Sequence, residues 1–158
     1  MGKINNNTVV QLIGMLGIIS SLIFVGLEMR QTQKIAIAGQ QQARSALGNT
    51  VILSMNDIGV DVQSVYFEGK SRTDLSLEQI ALRNTSHIAW FLYENDFYQY
   101  EQGLMDDETW DAKVVAMKAL YNNCAVRSIV MTRKPTFSKP LKDLIETFPD
   151  RCAERNTE

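Results

Sequence analysis

The segment VVQLIGMLGIISSLIFVGL, residues 9–27, constrains this chain more than any other feature: 19 residues carry no charge, and Gln11 is their one strongly polar member. A helix of that length spans roughly 28 Å at 1.5 Å per residue, close to the ~30 Å hydrocarbon core of a bilayer. Lipid offers backbone N–H and C=O groups no partners, so an embedded stretch must pair them internally, as a helix. A core helix of a soluble protein would keep a polar face, which this run lacks. A cleaved signal peptide also fits poorly, because its apolar region is ~7–15 residues and small residues follow it closely. Here Ala36-Ile37-Ala38 ends eleven residues past Leu27, beyond Glu28, Arg30 and Lys34. The reading is a transmembrane anchor over 9–27, behind a short polar tail over 1–8. Lys3 and the amino terminus stand on one side of it, and Arg30, Lys34 and Arg44 on the other. Basic residues accumulate on the cytoplasmic side, so the expected orientation puts the N-terminus out and the soluble part in the cytoplasm.

The rest of the chain reads as helix. Residues 28–55 contain no Pro and continue the anchor as a juxtamembrane helix rich in uncharged Gln31, Gln33, Gln40, Gln41 and Gln42. That polar face suits either side-by-side packing or a solvated stalk. Gly39 and Gly48 each cost up to ~1 kcal/mol in a helix interior and mark kinks or close approaches to a neighbour. Asn56-Asp57 caps a short helix ending near Phe67 and Gly69. Ser76-Leu77-Glu78-Gln79 has the form of a capping box and starts a helix that Gly103 stops. Its stripe of Leu77, Ile80, Ala81, Ile88, Phe91, Leu92 and Tyr98, widened by Trp90, Tyr93, Phe97 and Tyr100, makes it the centre of the soluble part. Asp106 opens the next helix, to about Asn122, which offers Trp110, Val114, Met117, Ala119, Leu120 and Tyr121 to the same core. The connection is short enough to make the two antiparallel neighbours. A further helix covers Cys124 to Thr132, Pro135 breaks the chain, and Ser138 with Pro140 opens a last helix to Thr147. Residues 56–148 are thus a helical soluble domain and 149–158 a polar tail. The fold class is all-α: an N-terminal transmembrane helix continuing into a small antiparallel helical bundle.

The anchor ending in LEMRQ, then Phe91-Leu92-Tyr93-Glu94-Asn95, Tyr98-Gln99-Tyr100, Gly103-Leu104, an acidic pair and Trp110 resembles a widespread set of uncharacterised bacterial single-pass membrane proteins with a short all-helical soluble domain. The resemblance implies bacterial origin, an inner (cytoplasmic) membrane and a helical fold; it carries no activity.

Little catalytic chemistry is available. With 16 Lys and Arg against 18 Asp and Glu the net charge is −2, which excludes a global electrostatic partnership with nucleic acid. Two cysteines and one histidine do not make a disulfide-dense scaffold or a four-ligand zinc site. No catalytic residue, cofactor or metal is expected. His87 lacks a second histidine or a Glu-x-x-His partner; its one functional use would be as a pH switch, since its ordinary pKa is ~6.5. Acids cluster at Glu94, Asp96, Glu101, Asp106, Asp107, Glu108 and Asp111, but without the spacing of a calcium loop. Bases cluster at Arg127, Arg133, Lys134, Lys139 and Lys142. The two clusters suit head-to-tail pairing between subunits, a basic patch on anionic headgroups, or ordinary solvated and intrachain-paired faces. Within the anchor, Gly14, Gly17 and Ser21 share one face, with Gln11 and Ser20 seeking hydrogen bonds, which favours helix–helix contact in the bilayer. Cys124 and Cys152 would be free thiols in the cytoplasm and could bridge outside it.

Three functions follow as expectations. The first is a membrane-anchored assembly or scaffold protein, or an accessory subunit of a membrane complex, whose partners are the bilayer and copies of itself. The second is a sensor or channel-like oligomer with the anchors around a central axis. The weakest is an enzyme using the acidic helix pair.

Overall fold

The structure, a computed structural model, describes residues 5–70 and 72–155; the sequence reading of Lys3 and the outer ends of both polar tails lie outside these. Among the described residues there is no strand. The chain divides into two compact units, Met1–Gly39 and Gln40–Glu158.

Helix α1 (Asn6–Asp57) supplies the described part of the first unit and the beginning of the second. In the first unit its apolar stretch is exposed on every side, with each residue from 9 to 27 open. The helix is long and apolar enough to cross a membrane.

In the second unit the end of α1 presents a stripe of Gln41, Ser45, Gly48, Asn49, Ile52, Met55 and Asn56, at three- and four-residue steps, to the bundle, while Leu47 and Val51 stay exposed. A Cβ placed on Gly48 would sit 3.6 Å from the Phe91 ring, so this glycine marks a close approach. Gly39 meets nothing within 4 Å and lies within unbroken helix, so neither position breaks α1. Asn56-Asp57 is not a helix start: both are the last residues of α1, which closes on Gly59. Gly59 (φ +70°) lets its N–H reach the Asn56 carbonyl at 3.0 Å and that of Val60 the Met55 carbonyl at 2.9 Å. A Cβ-bearing residue would be strained in that left-handed geometry. A single π-helical turn, Gln63–Phe67, follows.

The remaining helices match their sequence signals closely. In α2 (Leu77–Glu101) the Ser76–Gln79 capping box is formed in both directions. Gly103 (φ +69°) ends it with the same paired carbonyl bonds as Gly59, from Gly103 N–H to Tyr100 and Leu104 N–H to Gln99. The N-cap of α3 (Asp107–Tyr121) is Asp106, whose carboxylate accepts from the Thr109 N–H at 2.8 Å. The helix expected over Cys124–Thr132 begins as a 3₁₀ turn, Cys124–Val126, before α4 (Arg127–Arg133). A second 3₁₀ turn at Lys134–Thr136 carries Pro135, and α5 (Lys139–Glu146) carries Pro140 in its first turn. The terminal segment is not all tail, since Arg151–Arg155 forms the short α6.

The core gathers Trp90 and Phe97 of α2, Trp110, Met117 and Tyr121 of α3, Ile129 and Val130 of α4, and Leu141 and Ile145 of α5. Trp110 packs on Phe97 (5.6 Å between centroids) and stacks on Tyr100 at 4.8 Å, which fixes α2 against α3. Each fully buried aliphatic or aromatic side chain contributes ~1.5–3 kcal/mol of transfer free energy. The expected α2 stripe needs correction. Leu77 is 73% exposed and Leu92 46%, whereas Asn84 and His87 are fully buried. Ala119 of α3 is exposed too. The buried face of α2 is rotated toward its polar members, for reasons that lie in the loop it packs against.

Candidate functional site

Just after α1, residues 58–64 include buried backbone that must find partners. Asn84, fully buried at mid-helix, supplies them: its Nδ2 donates to the Val60 carbonyl at 2.8 Å, and its Oδ1 accepts from the Val62 N–H at 3.0 Å. Two residues before the π-helical turn, Asp61 accepts the Ser64 N–H at 3.0 Å, the Ser64 hydroxyl, and a two-pronged bond from Arg83 Nε and Nη2 at 2.9 and 3.0 Å. Burial raises the Asp61 carboxyl, but the Arg83 and Ser64 hydrogen bonds outweigh it and hold the group below its ordinary value. Arg83 also reaches Glu68 at 3.3 Å.

His87 follows Asn84 on the same face. Its ring stacks on Phe67 (5.3 Å, 8° between planes), and both of its nitrogens are buried without a hydrogen-bond partner. Arg133, 5% exposed, lays its guanidinium over the Phe91 ring at 3.7 Å; its Nη2 donates to Glu94 at 3.4 Å, and its Nε is likewise buried and unpartnered. Each such orphan costs ~1–3 kcal/mol. These side chains line a cleft of about 390 Å³ with Gly48, Val51, Ile52, Val62, Tyr66 and Phe67.

His87 is not a switch at neutral pH. Burial, reinforced by the nearby Arg133 and Arg83 and only partly offset by Asp61, pushes its pKa down to about 4. The imidazole is neutral in both folded and unfolded chains above the ordinary ~6.5. As pH falls from there toward 4, only the unfolded chain takes the proton, so stability declines by roughly 3 kcal/mol over that window. Burial raises the Glu94 carboxyl, which works in the opposite sense as it protonates first in the folded state. A His87→Leu variant isolates the imidazole: unfolding of the full chain in nanodiscs, followed from pH 7.5 to 4.5, should show a flatter pH dependence. An unchanged slope would refute the assignment.

The two charge clusters meet inside the chain at one point, Glu94 with Arg133. Elsewhere the bases have partners of their own. Arg127 bonds Asp150 at 2.6 Å and the Tyr121 carbonyl at 2.7 Å; Lys134 pairs with Glu146 at 2.8 Å, Lys139 with Asp143 at 2.6 Å, and Lys142 donates to the Pro135 carbonyl at 3.3 Å. Asp96 takes Lys113 at 3.2 Å, Asp106 caps α3, and Asp107 accepts from the Tyr100 hydroxyl at 3.1 Å. Glu101, Glu108 and Asp111 are exposed. Among the described residues no three His, Cys, Asp or Glu side chains converge as a metal site. Gln11, Gly14, Gly17 and Ser21 lie exposed on α1, and a Cβ on either glycine would meet nothing within 4 Å.

Cys124 and Cys152 are joined in a disulfide, contrary to the free thiols that a cytoplasmic soluble part would carry. The chain matches no protein-family model, no curated protein and no solved structure. Sequence reasoning missed Asp61, Arg83, Asn84 and the cleft. The available signal was the polar pair Asn84 and His87 on the face that Ile80 and Phe91 mark as buried.

Proposed function

We propose that this chain is a single-pass membrane protein of a bacterial inner membrane that works by assembly, with copies of itself or as a small accessory subunit of a membrane complex. The observation that carries this reading is the anchor in the unit Met1–Gly39. It exposes apolar side chains around its whole circumference, and its small-residue face at Gly14, Gly17 and Ser21 leaves room for a second helix to approach closely. Gln11 on the same side offers a hydrogen bond that lipid cannot satisfy.

On this reading the Cys124–Cys152 bond favours a non-cytoplasmic soluble unit, against the cytoplasmic side expected from the charges around the anchor. The charge difference across the anchor, Lys3 and the amino terminus against Arg30, Lys34 and Arg44, is a weak determinant, whereas a structural disulfide persists in oxidising compartments and not in the cytoplasm.

The particle mass in a mild detergent or nanodisc tests assembly directly. More than one copy, or a co-purifying partner, is the expected result, and a clean monomer that captures nothing would overturn the proposal. Gly14→Leu with Gly17→Leu should keep the chain in the membrane and weaken self-association by about tenfold or more, in line with ~1–2 kcal/mol for close membrane-helix contacts.

A further inference from the structure

We infer that the cleft between α1, the π-helical turn and α2 binds an amphiphile with an unbranched apolar chain and a carboxylate head, the chain lying against Val51, Tyr66, Phe67 and Phe91 and the head reaching His87 and Arg133. The cleft lies wholly within residues 40–158, so the inference does not rest on the assembly reading.

Three observations carry it. The first is the wall: apart from Gly48, His87 and Arg133 the lining is aliphatic or aromatic, and Val51 (55% exposed), Tyr66 (62%) and Phe67 (43%) leave apolar surface open to water at the mouth. A volume of about 390 Å³ falls in the range of small-molecule sites, which combine apolar walls with a few polar groups. The second is the set of orphaned nitrogens. A neutral imidazole has one donor and one acceptor, and neither is used; Arg133 Nε–H is unused as well. A ligand oxygen that accepts from the imidazole N–H and the guanidinium would satisfy both donors.

The third is charge. Arg133 lies over the Phe91 ring and has one long bond to an acid, Glu94, whose ionisation burial disfavours. A guanidinium carries the planar fork that suits a carboxylate, and the buried Nε–H is its unused donor. An uncharged alcohol would meet the same wall but offer the guanidinium no carboxylate. That difference is the basis for choosing an acid over a neutral lipid.

The test uses the full chain in lipid nanodiscs with dodecanoate labelled by ¹³C at its carboxyl carbon, and empty nanodiscs to define the lipid-partitioned signal. The expected result is a second carboxyl resonance, absent from empty nanodiscs, that saturates at one equivalent per chain. Dodecanol should displace it only at concentrations about tenfold higher or more, the margin of a charge-assisted bidentate contact. Val51→Trp, at an exposed position, should fill the mouth and abolish the resonance. Arg133→Gln should weaken dodecanoate by about tenfold and leave dodecanol unchanged. Should that variant fold poorly, Val51→Glu puts a repelling charge at the solvent-facing mouth and should weaken dodecanoate selectively. Absence of a saturable resonance, equal affinity for the alcohol, or retention of binding in Val51→Trp would each overturn the inference. So would a cleft occupied by another copy of the chain, seen as a particle mass that falls in Val51→Trp while dodecanoate never binds.

Discussion

Replacing Asp61 with Ala is expected to cost about 3 kcal/mol, the scale of breaking a buried ion pair by removing one partner. The carboxylate side chain is 3% exposed and that of Arg83 11%. Its loss removes the acceptor for both guanidinium nitrogens, the Ser64 N–H and the Ser64 hydroxyl at once. Glu68 remains within 3.3 Å of Arg83 and tempers the penalty, because it keeps the cation from being wholly unpaired. The measurement is denaturant or thermal unfolding of the full chain. A companion experiment separates the cost of an orphaned charge from any net contribution of the pair: Asp61→Leu with Arg83→Met should cost clearly less than Asp61→Ala alone, since apolar replacements of a buried pair are often close to neutral. If the double replacement costs as much as the single one, the network is stabilising in its own right and the desolvation argument is wrong. Because folded Asp61 sits below its ordinary pKa, its contribution is present above about pH 4 and fades below it.

The parts of this fold that could be read from sequence are those set by local chemistry. Ser76 with Gln79, Asp106 with Thr109, and Gly103 past the last turn of α2 each satisfy orphan backbone groups with residues three or four positions away, so the rule and its execution lie within one short stretch. The long apolar helix is legible for a related reason: its length and composition are properties of the segment alone. The errors arise where a distant partner decides. Asn56-Asp57 has the composition of a helix start, yet Gly59 ends α1 just after them, because Asn84, 24 positions beyond Val60, reaches back to hold the loop. The Asn84 amide makes a polar residue the right occupant of a buried face, and rotates α2 so that Leu77 and Leu92 turn outward. His87 read alone suggests a titration near neutrality; enclosure by Phe67 and Arg133, contributed by elements on both sides of it, moves that titration to about 4. The basic run from Arg127 to Lys142 looked available for a partner, and intrachain acids at Glu94, Asp143, Glu146 and Asp150 engage most of it.

A loss of comparable size is expected from removing the Cys124–Cys152 bond. The cross-link closes a loop with a sequence separation of 28, and in the chain-entropy account such a loop restrains the unfolded chain by about 3–4 kcal/mol. What it fastens is the 3₁₀ turn before α4, whose Val126 belongs to the core, to the short α6. Asn122 Oδ1 accepts the Arg151 N–H at 2.9 Å beside it, and Arg127 with Asp150 adds a salt bridge at 2.6 Å. Cys124→Ser with Cys152→Ser should therefore lower unfolding stability by about 3 kcal/mol, and reductant should do the same to the unmodified chain and nothing further to the double variant. The same bond reports on location. Thiols of the chain in native membranes should resist a membrane-impermeant maleimide until reduced, and after reduction should be labelled from the non-cytoplasmic face. Free thiols in native membranes, or labelling that requires the cytoplasmic face to be opened, would place the soluble unit in the cytoplasm and return the topology to the one the charges around the anchor favour.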